Sequence, residues 1–151
     1  MILFFSTNHN TQEPPDFYIE TKNKRLELKT FDIEAGANFD VANFEAFCSL
    51  LEKDATFIDS DYLIFAYSLT NGILKIKKVF LKKVWEICCG SSNYPVKTQI
   101  KRVMIYNIRP SIWLSDKTQY KTFTNCKDFI FALYNTLLTY KKTKKTHQKI
   151  G

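Results

Sequence analysis

At 151 residues and 45% hydrophobic, the chain fits one domain with a real core, which excludes a disordered or a large multidomain protein. No apolar run approaches the ~18 residues of a membrane span, and Met1-Ile2-Leu3-Phe4-Phe5 is too short for a signal-peptide core, so the expectation is a soluble, cytoplasmic protein without membrane contact. The net charge of +7 is split unevenly: residues 1–72 hold 5 Lys/Arg against 12 Asp/Glu and residues 73–151 hold 17 against 3, a division that suits metal ions in one place and polyanions in another, although charge that merely keeps the chain soluble reads the same.

Residues 2–6 read as a short buried strand, and the polar stretch closing on Pro14-Pro15 as a loop. Residues 16–20 and 25–31 form a β-hairpin; in the second strand Leu26 and Leu28 alternate with Arg25, Glu27 and Lys29, so Glu27 and Lys29 project from one face. Asp40 is an N-cap candidate for a helix over 40–53, with Val41, Phe44, Cys48 and Leu51 at helical spacing. Strands follow over 61–69 and 73–78, joined by the turn Thr70-Asn71-Gly72. Leu81, Val84, Trp85 and Cys88 recur at i, i+3, i+4, i+7, which predicts a short helix ended by Gly90. Residues 99–108 return to strand before Pro110. Asn125 caps a last helix with Phe129, Leu133, Leu137 and Tyr140 on one side. This order of elements predicts an α/β (α+β) domain around one mixed sheet over residues 1–140, followed by a basic flexible tail, 141–151. Trp85, Trp113 and most other aromatics read as core. Cys48, Cys88, Cys89 and Cys126 lack the paired spacing of a zinc site and read as reduced, mostly buried thiols.

The chemistry-bearing segment is Pro15-Asp16, ten residues, then Glu27-Leu28-Lys29. Phosphodiester hydrolysis needs a divalent cation to offset phosphate charge and acidify a water, and Mg2+ takes hard oxygens: one or two carboxylates, with water and phosphate completing its shell. Asp16 and Glu27 on neighbouring strands, with the Leu28 carbonyl, are a candidate ligand set, and the Lys29 ammonium would position the water and offset developing charge. The competing reading is a solvated hairpin whose Glu27 and Lys29 are ordinary surface charges.

Pro15-Asp16 with Glu27-Leu28-Lys29 resembles the PD-(D/E)XK nuclease signature. The wider text resembles type II restriction endonucleases of the NgoBV and HaeII kind. The segments that carry the likeness are LELKTFD (26–32), NFDVANFEAFCSLL (38–51), YLIFAYSL (62–69), LKKVWEICCG (81–90) and VKTQIKRVMIYNIRP (96–110). The resemblance implies a restriction-endonuclease-like mixed central sheet flanked by helices, with Asp16 and Glu27 as metal ligands and Lys29 as the catalytic lysine. It also implies Mg2+-dependent cutting of double-stranded DNA by a homodimer at a short symmetric site, which a cognate methyltransferase would modify. Only fifteen residues precede Asp16, so the family's N-terminal region, which often adds another acidic residue, is expected to be missing; Glu13 could substitute for that acid but is not the expected ligand. A truncated, weak or inactive DNA-binding remnant is the alternative.

Lys75, Lys77 and Lys78, with Lys101, Arg102 and Arg109, are candidate DNA contacts. Phosphate pairing there would make binding fall steeply with salt, while a lysine-rich solvated face is the plain alternative. Gln99 joins them, and Gln99, Arg102, Asn107 and Arg109 have the side-chain types that can read base edges.

Overall fold

The computed structural model describes residues 5–7, 15–19, 24–111 and 121–148. In chain order these form β1 (Phe5–Thr7), β2 (Phe17–Ile19), β3 (Lys24–Asp32), β4 (Ala42–Asn43), α1 (Phe44–Lys53), a 3-10 turn (Ala55–Asp59), β5 (Asp61–Thr70), β6 (Ile73–Lys83), α2 (Val84–Ile87), β7 (Thr98–Lys101), β8 (Met104–Ile108) and α3 (Cys126–Gln148). Predictions that fall on residues 2–4, Glu13, Trp113 and 149–151 lie outside the described residues.

β1, β2, β3, β5 and β6 make a five-stranded sheet in that order. Every pair is antiparallel except β3 with β5. A parallel pair needs a crossover, here built from β4, α1 and the 3-10 turn. The predicted mixed sheet is therefore present. A second, antiparallel sheet runs β4-β8-β7. The two sheets and the helices share one core, in which Phe44, Ile64, Ile87, Ile108, Val96, Phe129 and Tyr140 are fully buried. Tyr140 meets Phe44 edge-on, with ring centres 5.9 Å apart.

Alternation on β5 follows the two sides of the sheet. Tyr62, Ile64 and Ala66 are buried on the core side, while Leu63, Phe65 and Tyr67 lie on the outer side with Leu28, Val79 and Leu81 beside them. That outer side stays partly bare: Leu28, Val79 and Leu81 are exposed.

Four predicted boundaries change. The first helix starts at Phe44, and its cap is Asn43, whose Oδ1 accepts from the Ala46 N–H at 3.0 Å. Residues 42–43 pair with β8, the Val41 N–H donates to the Ile108 carbonyl, and Asp40 is engaged by Arg109, so tertiary partners hold this stretch out of the helix. The helix expected over 81–88 shrinks to Val84–Ile87, because pairing with β5 extends β6 to Lys83; Leu81 faces Leu63 and is 64% exposed. The single strand expected over 99–108 is two strands turning at Arg102-Val103. Residues read as a fraying tail are helical to Gln148.

Asn125 does cap α3, accepting from the Asp128 N–H at 2.9 Å, and Phe129, Leu133 and Tyr140 are buried as the spacing predicts. All four cysteines are free; Cys48, Cys88 and Cys89 are buried and Cys126 is partly so. Among the described residues no helix is long and apolar enough to cross a membrane.

Candidate active site

Asp16 stands one residue before β2, and the register that sets Phe17 opposite Leu26 carries it beside Glu27. Its Oδ2 accepts a 2.6 Å hydrogen bond from the Leu28 N–H. Lys29 Nζ donates to Glu27 Oε1 at 2.8 Å, closing an ion pair between side chains that share the core face of β3. The structure thus brings Asp16, Glu27, Leu28 and Lys29 to one short stretch of two adjacent strands.

Glu27 is not a surface charge. It is 7% exposed, lies beside buried Tyr62 on β5, and its Oε2 has no hydrogen-bond partner among the described residues. Taking a carboxylate out of water without satisfying both oxygens disfavours its ionised form. Burial accordingly raises the Glu27 pKa; Lys29 pulls it back down, and Asp16 acts both ways, its charge raising the value and its backbone N–H lowering it. Burial, with the Glu27 charge second, also holds the Tyr62 phenol well above its ordinary range. Tyr62 is a neighbour of the site that the sequence reading treated only as strand; the one available signal was its place as the first inward residue of β5.

An unpaired buried oxygen, a second carboxylate close enough to raise its pKa, and an adjacent peptide group form a seat that a hard divalent cation would complete. Among the described residues no group of three or more His, Cys, Asp or Glu converges anywhere. A cation held here would draw its remaining ligands from water, backbone and substrate.

The candidate DNA contacts divide between the two sheets. Lys78 pairs with Ala66 and Lys75 with Ser68, so both share the sheet face of Glu27 and Lys29, while Lys77 is the extra residue of a β-bulge. All three are exposed. Gln99, Lys101, Arg102 and Arg109 belong to the smaller sheet or its end. Gln99 Oε1 accepts from Asn107 Nδ2 at 3.2 Å, and Lys101 lies over the Tyr106 ring. The Arg109 guanidinium is spent on Asp40 and Asn38, which anchors the loop before β4. Lys83, at the end of β6, is likewise tied to Asp59 and Asp61.

This mixed sheet carries Asp16, Glu27 and Lys29 on or beside two adjacent strands, and a solved structure described as the NlaIV restriction endonuclease has the same fold. It aligns with a TM-score of 0.84 and 29% identity, covering 97% of this chain and 68% of that one. The chain belongs to the NgoBV restriction endonuclease family, whose model matches residues 2–150. It is 35% identical over 138 residues to the type II restriction enzyme NlaIV of Neisseria lactamica, covering 88% of this chain and 57% of that protein. It is 33% identical over 106 residues to the type II restriction enzyme NgoBV of Neisseria gonorrhoeae, covering 65% of this chain and 58% of the other. The chain therefore spans a little over half the length of the curated relatives it matches.

Proposed function

We propose that this chain is a type II site-specific deoxyribonuclease that hydrolyses double-stranded DNA with Mg2+, acting as a homodimer in a bacterial cytoplasm beside a methyltransferase that modifies the same site. The observation that carries this reading is the buried Glu27 with its unpaired Oε2, set beside Asp16 and ion-paired to Lys29 in a chain of this family.

Asp16, Glu27 and the Leu28 carbonyl would hold the cation. When bound it lowers the pKa of water and offsets charge on the scissile phosphate. Asp16 fixes the hairpin partner by gripping the Leu28 N–H, which keeps both carboxylates on adjacent strands. Lys29 orients the attacking water and places an ammonium where negative charge grows as the new P–O bond forms and the old one breaks. Glu27 aligns that ammonium through their 2.8 Å contact. Lys75 and Lys78, on the same sheet face, would meet DNA phosphates and set its position without reading sequence.

An inactive remnant is not favoured, because Asp16, Glu27 and Lys29 are all present in a chain of this family and Glu27 and Lys29 are in contact. Incubating the protein with supercoiled plasmid and Mg2+, then sequencing the cut ends, tests the reading. Cuts at one short symmetric sequence that vanish with EDTA and in Lys29→Ala are expected. Plasmid left intact with both Mg2+ and Mn2+ would refute it.

A further inference from the structure

Two hairpins in this chain close with two-residue loops whose central residues both have positive φ. Between β5 and β6 these are Asn71 (52°) and Gly72 (74°); between β7 and β8 they are Arg102 (47°) and Val103 (64°). Such loops are type I′ turns, whose twist suits the flanking strands and whose two left-handed positions favour Asn-Gly. The first hairpin has that pair. The second places an arginine and a β-branched valine there, and valine is among the residues least suited to the left-handed region. Val103 is 41% exposed, so the strained position does not exist to fill a core.

What the tip does present is Arg102. Of the three arginines in the chain, Arg25 is held by Asp54 and Thr56, and Arg109 by Asp40 and Asn38. Arg102 is exposed and forms no ion pair among the described residues. Lysines outnumber acids around it, Glu45 being the carboxylate paired with Lys144 at 3.3 Å. Lys101 precedes Arg102, and the hairpin leans on α3 through a 3.4 Å contact from the Tyr140 hydroxyl to Met104 Sδ. Lys144 lies over that same tyrosine ring, among Lys141, Lys142 and Lys145.

We infer that Arg102 is a sequence-reading residue: the β7–β8 hairpin enters the major groove of double-stranded DNA, and the Arg102 guanidinium donates two hydrogen bonds to the O6 and N7 of a guanine. A two-stranded ribbon fits the major groove, and the fork of arginine matches those two acceptors. Arg102 itself sits in the left-handed region at φ 47°, and strain persists where function requires the residue that suffers it; Asn there would close the turn more easily and could not make this contact. Lysines around the tip meet phosphates and position the ribbon. This inference rests on the DNA-cutting reading above.

The test selects bound sequences from a random duplex pool in Mg2+, in a Lys29→Ala background so that captured DNA is not cut. The background protein enriches a symmetric motif containing guanine. Adding Arg102→Ala removes the guanine preference at one position of each half-site and lowers affinity for the motif about 10- to 100-fold. Affinity for unrelated duplex changes less than threefold. Arg102→Lys keeps the charge and loses the same preference. Val103→Gly, which relieves strain and keeps the arginine, retains the motif and melts roughly 3 °C higher. An unchanged motif in Arg102→Ala, or an equal loss of affinity for every sequence, overturns the inference while leaving the nuclease reading intact. A background protein that enriches no motif, together with a parent that cuts no plasmid, overturns both.

Discussion

In the five-stranded sheet the central carboxylate of the proposed chemistry, Glu27, lies under cover on the core face beside buried Tyr62 and tied to Lys29, whereas in the three-stranded sheet the group proposed to read sequence stands on a bare hairpin tip. Each placement is unfavourable in its own way. The larger sheet pays in desolvation, which raises the Glu27 pKa and leaves Oε2 unpaired. The smaller sheet is strained in its backbone, at Arg102 and Val103. A carboxylate that must attract a cation gains from a dry setting, where Coulomb forces are strong. An arginine that must reach a base edge gains from projecting into the groove. The two kinds of strain therefore differ because the two tasks differ.

The largest effect expected is in the larger sheet. Lys29→Ala should slow plasmid cleavage at least about a thousandfold, or ~4 kcal/mol in barrier height, while duplex binding stays within a few-fold. A loss below tenfold would move the chemistry off this sheet. Next come the turns, where substitutions at matching positions should have opposite signs. Gly72→Val should lower unfolding stability in urea by about 1–2 kcal/mol, and Val103→Gly should raise it by up to about 1 kcal/mol. Equal signs would remove the contrast between the hairpins.

A smaller effect follows from Glu27. Its folded-state pKa is raised, so the native protein holds this proton more tightly than the unfolded chain does. Stability from that difference is fully present below the ordinary glutamate value near 4.3 and is lost as pH rises from there through the folded-state value. Glu27→Gln, which keeps an acceptor for Lys29 but cannot ionise, should be more stable than the parent at pH 8, and the gap should close toward pH 4. Thermal melts across that range check the sign. The smallest effect is electrostatic. Changing Lys75, Lys77 and Lys78 to Gln should flatten the dependence of log affinity on log salt by about 0.9 for each phosphate contact removed.

Much of the larger sheet was legible in the residues. Alternation at Leu26, Glu27, Leu28 and Lys29 sets their faces, and Asn71-Gly72 marks its turn without ambiguity. Burial was not legible, because Glu27 looks the same on paper whether water or Tyr62 stands beside it. The register that gives Asp16 the Leu28 N–H is also a tertiary outcome. The smaller sheet was the harder half. Turn recognition depends on Gly, Asn, Asp and Pro, so Lys101-Arg102-Val103-Met104 reads as uninterrupted strand. The helical spacing of Leu81, Val84 and Cys88 misleads because a strand partner, β5, claims Leu81 first. Asp40 is an acceptable cap by type, yet Arg109 engages it and Asn43 does the capping.

The Asp16–Leu28 contact bears on how this centre can be mapped. Its donor is a main-chain amide, so replacing the Leu28 side chain leaves the bond in place, and the neighbouring carbonyl is equally untouched. A scan that swaps residues for alanine one at a time would score Asp16 and pass over position 28 in silence. Only editing the peptide link itself, for instance by installing an ester in place of the amide, would reveal that Leu28 takes part.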